Sequence, residues 1–290
     1  MKRDTILRKV IKDLDSNDYS FVAVTNMHSC VDIFAKRLER MLAIKVVYNI
    51  DAMTKEEADS LGKMGTFFNA EPIVIGAVSK DKELGKDTVY TRFSTACISE
   101  ESFNIVGERQ MTYAASKAVG VTVSVDSSRL RYLMKLNNTS ARALAKATDL
   151  SNDTIYRHCS ADGCASLEVA NRMEKALNGK ITTTVVYKAR GNGEFKTLAN
   201  TKMDVAEFSN APFDMVARGV NRYEISYDAN PRTMRKRATL FRRIHDTFEG
   251  NHPFFISRSR GGEIFGVPAI SRRSLGQVQS ESQLLNLLTC

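Results

Sequence analysis

The chain has 290 residues, of which 43% are hydrophobic, and its formal net charge is +9 at pH 7. This length is sufficient for two or three domains with packed cores. No run of about eighteen apolar residues occurs, and the charged N-terminal residues lack an apolar stretch, so neither a transmembrane helix nor a signal peptide is expected. The five scattered cysteines indicate free thiols in a reducing cytoplasm. The positive charge is compatible with a polyanionic partner, usually nucleic acid.

The N-terminal part of the chain alternates between helical and extended patterns. A helical pattern is followed by extended stretches at residues 19–26, 43–50 and 71–79. Thr54 and Glu57, three residues apart, form a capping box that predicts a helix between the second and third stretches. Strands that alternate with helices indicate an α/β domain, which we expect to end near residue 106.

The middle of the chain has a different, helical pattern. We predict connectors at residues 107–125 and 181–202, with a helical domain at residues 126–180 between them. Four short helices are expected in this domain. Ser140 and Ser151 are in the positions of N-caps for the second and third of these helices.

The second and third helices have the spacing of a helix-turn-helix. Ala145 allows the two helices to cross closely, Leu150 fills the turn, and Ile155 anchors the second helix. The free face of that helix is then available for the major groove, where Asn and Arg make bidentate contacts to adenine and guanine. A serine-capped helix N-terminus also suits a phosphate. The predicted DNA-binding residues are Ser140, Arg142, Ser151, Asn152, Asp153, Thr154, Tyr156 and Arg157.

A four-helix bundle that mediates only protein contacts is the alternative for this domain. The stretch "LAKATDLSNDTIYR" resembles the Cro/C1-type helix-turn-helix family, and the resemblance covers nearly all of the helical segment. Two residues depart from the family pattern. Ala141 stands where the family usually has a DNA-contacting Gln, and Asp153 brings a negative charge to the reading helix.

The C-terminal part, residues 203–290, repeats the first domain. Four sequence blocks recur in the same order. They align Asp32 with Asp214 and Pro72 with Pro253. We therefore predict two related α/β domains, one on each side of the helical domain.

The repeated unit resembles the restriction-endonuclease-like and Holliday-junction-resolvase-like fold. This resemblance implies an Asp and, on the next strand, a Glu-x-Lys motif that together hold a divalent metal and position the attacking water. We align the motif with residues 45–47, "KVV", in the first copy and with residues 224–226, "EIS", in the second. Neither copy keeps the full set, so we predict no enzymatic activity and no metal site. Asp214 and Glu224 leave two carboxylates for weak metal binding.

The whole arrangement resembles a family of archaeal helix-turn-helix transcriptional regulators. The stretches "HSCVDIFAKR", "NIDAMTKEEADSLGKMG" and "NAPFDMVARG" carry this resemblance outside the helical domain. The predicted fold class is α/β plus all-α, with two related restriction-endonuclease-like domains flanking a four- to five-helix Cro/C1-type domain. The resemblance implies a cytoplasmic regulator that binds double-stranded DNA. We expect a homodimer, because one helix reads only a few base pairs. No cofactor is expected.

In this hypothesis Asn152, Tyr156 and Arg157 face base edges, while Ser151 and Arg142 face phosphates. Two other functions stay open: a metal-dependent, structure-specific nuclease, and an interaction protein with a vestigial helix-turn-helix. Charge is uneven along the chain, since residues 231–273 have ten Lys and Arg against three Asp and Glu. This basic region is a candidate for contacts to a DNA backbone, which carry no sequence information.

Overall fold

The computed structural model describes residues 2–24, 27–86, 88–103, 111–117, 120–182, 184–185, 196–198, 201–258 and 261–289. The helices are α1 (Arg3–Ser16), α2 (Lys55–Phe68), α3 (Glu100–Phe103), α4 (Ser127–Leu136), α5 (Ala141–Thr148), α6 (Asn152–Ser160), α7 (Leu167–Leu177), α8 (Pro231–Thr247), α9 (Arg272–Gly276) and α10 (Glu281–Thr289). The strands are β1 (Ser20–Ala23), β2 (Ile33–Arg37), β3 (Arg40–Val46), β4 (Glu71–Gly76), β5 (Val78–Ser79), β6 (Lys82–Glu83), β7 (Thr88–Arg92), β8 (Thr95–Ser99), β9 (Met111–Lys117), β10 (Gly120–Val125), β11 (Gly163–Ser166), β12 (Thr184–Val185), β13 (Lys196–Thr197), β14 (Asp204–Glu207), β15 (Met215–Arg218), β16 (Arg222–Tyr227), β17 (Phe254–Ser257), β18 (Gly262–Ile264) and β19 (Val267–Ser271).

The N-terminal copy is a mixed α/β sheet. Its strands lie in the order β1-β2-β3-β4-β8-β7, and the two central pairs, β3 with β4 and β4 with β8, are parallel. The crossover from β3 to β4 runs through α2, as parallel neighbours require. The predicted capping box is present, because Thr54 Oγ1 accepts from the Glu57 amide while the Glu57 carboxylate accepts from the Thr54 amide.

The C-terminal copy repeats this topology strand for strand. Its order is β14-β15-β16-β17-β19-β18, again with two parallel pairs in the centre and a crossover helix, α8, between β16 and β17. The strand registers place Pro72 and Pro253 at equivalent positions. Pro72 precedes Ile73, which pairs with Ile44, and Pro253 precedes Phe254, which pairs with Ile225. The two α/β sheets and the helical region between them were therefore predictable from the repeated sequence pattern.

The two copies pack against each other within one chain. Helix α2 contacts β15 of the C-terminal copy, and α8 contacts β1 of the N-terminal copy. Phe68 of α2 joins the two cores, because its ring lies 4.6 Å from that of Phe34 and 6.0 Å from that of Phe213. Most of the buried apolar side chains of the two crossover helices belong to one shared core.

The region predicted as the first connector contributes strands to the N-terminal sheet. Strand β9 pairs with β7 in parallel, β10 pairs with β9, and β11 from inside the helical segment pairs with β10. The described segment is thus not purely helical, because β11 lies between α6 and α7. Residues 107–110 and 118–119 of the first connector, and 183, 186–195 and 199–200 of the second, lie outside the described residues. The predicted domain boundaries stay a prediction.

Among the described residues, no helix combines the length and the apolar character needed to cross a bilayer. The cysteines in these ranges are free, and Cys30 and Cys97 are buried. Burial raises the pKa of both thiols to about 12, so these two side chains are neutral core groups at neutral pH.

Candidate nucleic-acid interface

The two helices predicted to form the helix-turn-helix are α5 and α6. Asp149, with φ at +53°, ends α5 in the left-handed conformation, and the Leu150 amide donates to the Ala145 carbonyl at 3.0 Å. This pattern closes a helix C-terminus and turns the chain sharply. Leu144 and Ile155 are fully buried, so each helix is fixed to the core of the domain by an apolar anchor.

The face of α6 that is opposite Ile155 is open to solvent. Asn152, Tyr156 and Arg157 are exposed, and their side chains make no hydrogen bond or ion pair with any described residue. Asp153, one turn before Arg157, is also exposed and unpaired. The face therefore presents an amide, a phenol, a guanidinium and one carboxylate to a partner.

Thr154 and Ser151 differ from the other predicted contact residues because they bond to each other. Ser151 Oγ accepts from the Thr154 amide at 3.1 Å and lies 2.9 Å from Thr154 Oγ1. Ser140 caps α5 in the same way through the Ala143 amide. These serines stabilise the first turns of α5 and α6, and the exposed N-termini of both helices remain suited to a phosphate. Arg142, exposed in the first turn of α5, has no partner among the described residues.

His158 points away from this open face. It is 4% exposed, and its pKa is lowered, chiefly by burial and then by the charge of Arg157. A buried imidazole with a lowered pKa is neutral at pH 7. We therefore assign His158 to the core of the helical domain.

Several polar contacts fix the ends of helices within the helical domain. Glu174 of α7 accepts hydrogen bonds from the Ile181 and Thr182 amides and from Thr182 Oγ1, and it pairs with Lys180 at 3.0 Å. Asp162 accepts from the Ser127 amide at the start of α4. The β10–β11 pairing connects the segment between α6 and α7 to the N-terminal sheet.

The nuclease-like position of the N-terminal copy is occupied by ion pairs. Asp32 is buried, and it accepts from Arg3 at 2.6 Å and from the Val46 amide at 2.7 Å. Lys45 Nζ lies 3.7 Å from the same carboxylate and donates to the Ser29 carbonyl. A guanidinium therefore stands beside the carboxylate that a metal would need.

The C-terminal copy has an equivalent arrangement with a different cation. Arg237 of α8 makes a bidentate contact to Asp214, at 2.7 and 2.9 Å, and the Tyr227 amide also donates to Asp214. Glu224 is fully buried, and neither of its oxygens has a hydrogen-bond partner among the described residues. Burial raises the pKa of Glu224 to about 7, against smaller lowering effects of its own backbone amide and of Arg222.

Our alignment of the Glu-x-Lys motif in the first copy, residues 45–47, was wrong by two residues. In the first copy, Ile33 follows Asp32 and pairs with Ile44. In the second, Met215 follows Asp214 and pairs with Ile225. The segment equivalent to Glu224–Ser226 is therefore Ala43–Lys45. The first copy keeps the lysine and lacks the carboxylate, whereas the second keeps the carboxylate and has serine in place of the lysine.

Comparisons with known proteins bear on both parts of the chain. Residues 3–112 match the PD-(D/E)XK superfamily domain. Proteins named "Putative HTH-type transcriptional regulatory protein" match along almost the whole chain. That of Methanothermobacter thermautotrophicus is 28% identical over 99% of this chain and 96% of its own length, and that of Pyrococcus furiosus is 25% identical over 99% and 98%. This chain is a full-length homologue of these archaeal proteins.

A third relative carries the same name but matches over a shorter region. The protein of Methanocella arvoryzae is 31% identical over 64% of this chain and 57% of its own length. No solved structure matches the chain. The full-length matches cover the two α/β copies and the helical region together.

Two arginines between the copies were missed by the sequence analysis. Arg218 donates to the Thr66 carbonyl at 2.7 Å, and Arg222 donates to the Phe68 carbonyl at 2.6 Å. Both guanidinium groups lie over aromatic rings of α2, at 5.5 and 5.9 Å from the ring centres. They satisfy carbonyls at the C-terminus of α2, where positive charge is favourable. No local sequence signal indicated these contacts, because 152 and 154 residues separate the partners along the chain.

Proposed function

We propose that this chain is a sequence-specific DNA-binding transcription regulator that inserts α6 into the major groove. The observation that carries the proposal is the exposed and unpaired set Asn152, Tyr156 and Arg157, on a helix that Ile155 fixes from behind. Asn and Arg are the residues that best distinguish adenine and guanine in that groove. The names of the archaeal relatives agree with this proposal.

Phosphate contacts complete the proposed Cro/C1-type interface. Arg142 supplies a free cation beside the N-terminus of α5, and Ser151 exposes the N-terminus of α6. Such contacts fix the register of a protein on DNA but do not read the sequence. We place this regulator in the cytoplasm, where archaeal DNA lies, and we infer no cofactor.

We further propose that the regulator binds a two-fold symmetric site as a homodimer. One helix reads only a few base pairs, and two-fold symmetry doubles the site. Because the two α/β copies already cover each other within the chain, the dimer has to use a different surface. Light scattering on the protein, with and without its DNA site, measures this; one chain per site would refute the dimer.

We also propose that the chain is not an enzyme. A metal-dependent nuclease needs carboxylates that are not already paired with cations, and it needs its lysine beside those carboxylates. Asp32 and Asp214 are each paired with an arginine, and Lys45 and Glu224 are in different copies. Cleavage of branched or linear DNA in the presence of Mg²⁺ or Mn²⁺, lost on Asp214→Ala, would overturn this part.

Selection from genomic DNA tests the main proposal. The purified protein is incubated with sheared genomic DNA at about 0.15 M salt, where surface electrostatics are screened beyond about 8 Å, and the retained DNA is sequenced. Enrichment of a short, two-fold symmetric site is the expected result. Uniform retention would assign DNA binding to the basic region of the C-terminal copy, and no retention would favour an interaction protein.

Arg157→Ala gives the sharper test on a selected site. We expect a loss of about 1–3 kcal/mol on the specific site and a relaxed preference at one base position. Arg8→Ala is the matched control, because Arg8 is exposed on α1 and makes no hydrogen bond or ion pair with any described residue. Equal binding by Arg157→Ala and Arg8→Ala would remove Arg157 from the interface.

A further inference from the structure

A cavity of about 190 Å³ lies at the edge of the C-terminal copy, away from α6. Its wall is formed by four parts of the copy: the C-terminal half of α8, the residues that lead into β17, the turn between β18 and β19, and the end of α10. This volume is below the ~300–1,000 Å³ of pockets for drug-sized ligands. The lining residues are Arg242, His245, His252, Pro253, Gly266, Val267, Pro268, Leu288 and Thr289.

The charged side of the cavity carries only potential cations, and the hydroxyl of Thr289 donates to carbonyls of its own helix. Arg242 and His245 are three residues apart on α8 and therefore share one helix face. His252 faces them from the start of β17, with its ring 5.9 Å from that of His245. No Asp or Glu is among the lining residues, and Arg242 makes no hydrogen bond or ion pair with any described residue.

The hydrogen bonding of His245 shows which ring nitrogen is available. Its Nδ1 lies 2.9 Å from the Asn251 carbonyl, which can only accept, so Nδ1 carries a proton. Nε2 is then the atom left for a ligand, and protonation there adds a second donor and a positive charge. Burial and then the nearby His245 lower the pKa of His252, against a smaller raising effect of Glu281.

Glu281, a carboxylate whose charge acts on His252, is already used for structure. Glu281, at the start of α10, accepts from the Val220 and Asn221 amides and from Tyr223 Oη at 3.1 Å. These bonds hold α10 against the β15–β16 turn and lower the pKa of Glu281, although burial opposes them. The positive side of the cavity is thus left without a neutralising partner from the lining.

The remaining wall is apolar. Val267 and Pro253 are buried, and Pro268 and Leu288 complete a surface with no side-chain hydrogen-bonding group. The wall is shaped by a two-residue turn in which Phe265 and Gly266 both have positive φ, at +54° and +73°. Turns of this kind join adjacent antiparallel strands tightly.

From these features we propose that the cavity binds a small organic anion. Its charged group contacts Arg242 and the two histidines, and its short hydrocarbon body lies against the apolar wall. A carboxylate or another oxyanion accepts charge-assisted hydrogen bonds from all three side chains. The site is independent of DNA binding by α6, since it is in a different domain and uses none of the same residues.

Titration followed by NMR on the full-length protein tests the proposal. The chain has four histidines, His28, His158, His245 and His252, so their ring signals can be assigned by single substitutions. Sodium benzoate is the probe, and benzyl alcohol is its uncharged analogue. We expect benzoate to shift the signals of His245 and His252 saturably, with a Kd below about 10 mM, and to leave those of His28 and His158 in place. Benzyl alcohol is expected to shift none of them.

Two substitutions separate the site from a general charge effect. Arg242→Gln is expected to weaken benzoate binding at least about tenfold, because a charge-assisted hydrogen bond is lost. Arg232→Gln, which removes the same charge from an exposed position of the same helix, is expected to leave it unchanged. The backbone amide spectrum shows whether each variant is folded.

Three results would overturn the proposal. The first is the absence of any saturable shift of the His245 and His252 signals. The second is equal benzoate binding by Arg242→Gln and Arg232→Gln. The third is equal affinity for inorganic phosphate and benzoate, since the apolar wall would then contribute nothing. Because DNA is absent from every measurement, these outcomes leave the proposed regulator function unaffected.

Discussion

Glu224 makes the stability of this protein dependent on pH in a predictable direction. Its carboxylate is on β16, opposite Val216, a residue of the core that the two copies share. Ser226, two residues along the same strand face, is also fully buried, and its hydroxyl has no partner among the described residues. An ionised carboxylate in such a place lacks the hydrogen bonds that would replace water.

The magnitude follows from the pKa. Burial raises the pKa of Glu224 from 4.5 to about 7 in the folded chain. Each unit of difference between folded and unfolded states corresponds to about 1.4 kcal/mol, so ionising Glu224 costs the folded state about 3 kcal/mol. The folded state binds the proton more tightly, so the contribution of Glu224 to stability is greatest below pH 4.5. It falls as the pH rises to about 7 and is constant above that.

Glu224→Gln isolates this contribution, because glutamine has nearly the same shape and does not titrate. We expect the free energy of unfolding of the variant, relative to wild type, to increase by about 2–3 kcal/mol between pH 5 and pH 8. Urea unfolding followed by circular dichroism measures this difference; the chain has no tryptophan for fluorescence. Any constant cost of burying the amide cancels when the two pH values are compared.

Ser226→Ala is the control, since it changes an adjacent buried polar group without removing a titrating one. Its difference from wild type is expected to be the same at every pH. A difference between Glu224→Gln and wild type that is also independent of pH, within about 0.5 kcal/mol, would refute the reasoning. Mg²⁺ is expected to leave the pH dependence unchanged, because Asp214, the second carboxylate, is paired with Arg237.

Three further substitutions test the packing. Ile155→Ala is expected to destabilise the helical domain by about 2–5 kcal/mol, measured by urea unfolding, and to abolish DNA retention with it. Phe68→Ala removes the ring that joins the two α/β cores and is expected to cost about 3–5 kcal/mol; an unchanged unfolding midpoint would show that the copies are not coupled. Thr54→Ala, which breaks the capping box of α2, is expected to cost only about 1 kcal/mol, and a larger loss would indicate a role beyond capping.

The elements that depend on nearby residues were predictable from the sequence. The caps Ser140 and Ser151 act on amides three residues away, and the spacing of Leu144 and Ile155 reflects one helix face each. Such local signals need no knowledge of the rest of the fold. The open face of α6 followed from the same spacing, because burying Ile155 exposes Asp153 and Arg157 on the opposite side of the helix.

The features that were missed depend on distant parts of the chain. Strand β11 has four residues, three of them exposed, and it exists because β10 pairs with it. The two-residue error in the Glu-x-Lys alignment has a similar origin. Residues two apart on a strand point to the same side, so a shift of two preserves the apolar pattern, and only the pairing of Ile33 with Ile44 fixes the register.

The packing of the two copies also has a consequence for synthesis of the chain. Phe68, in the N-terminal copy, is covered by Phe213, which follows roughly 145 residues later and so leaves the ribosome about 7–30 s after it at ~5–20 residues per second. During that interval the newly made N-terminal copy exposes the aromatic end of α2, and the carbonyls of Thr66 and Phe68 lack Arg218 and Arg222. A nascent chain stopped in the helical domain would therefore be prone to aggregation. Slow translation between the two copies would increase this aggregation.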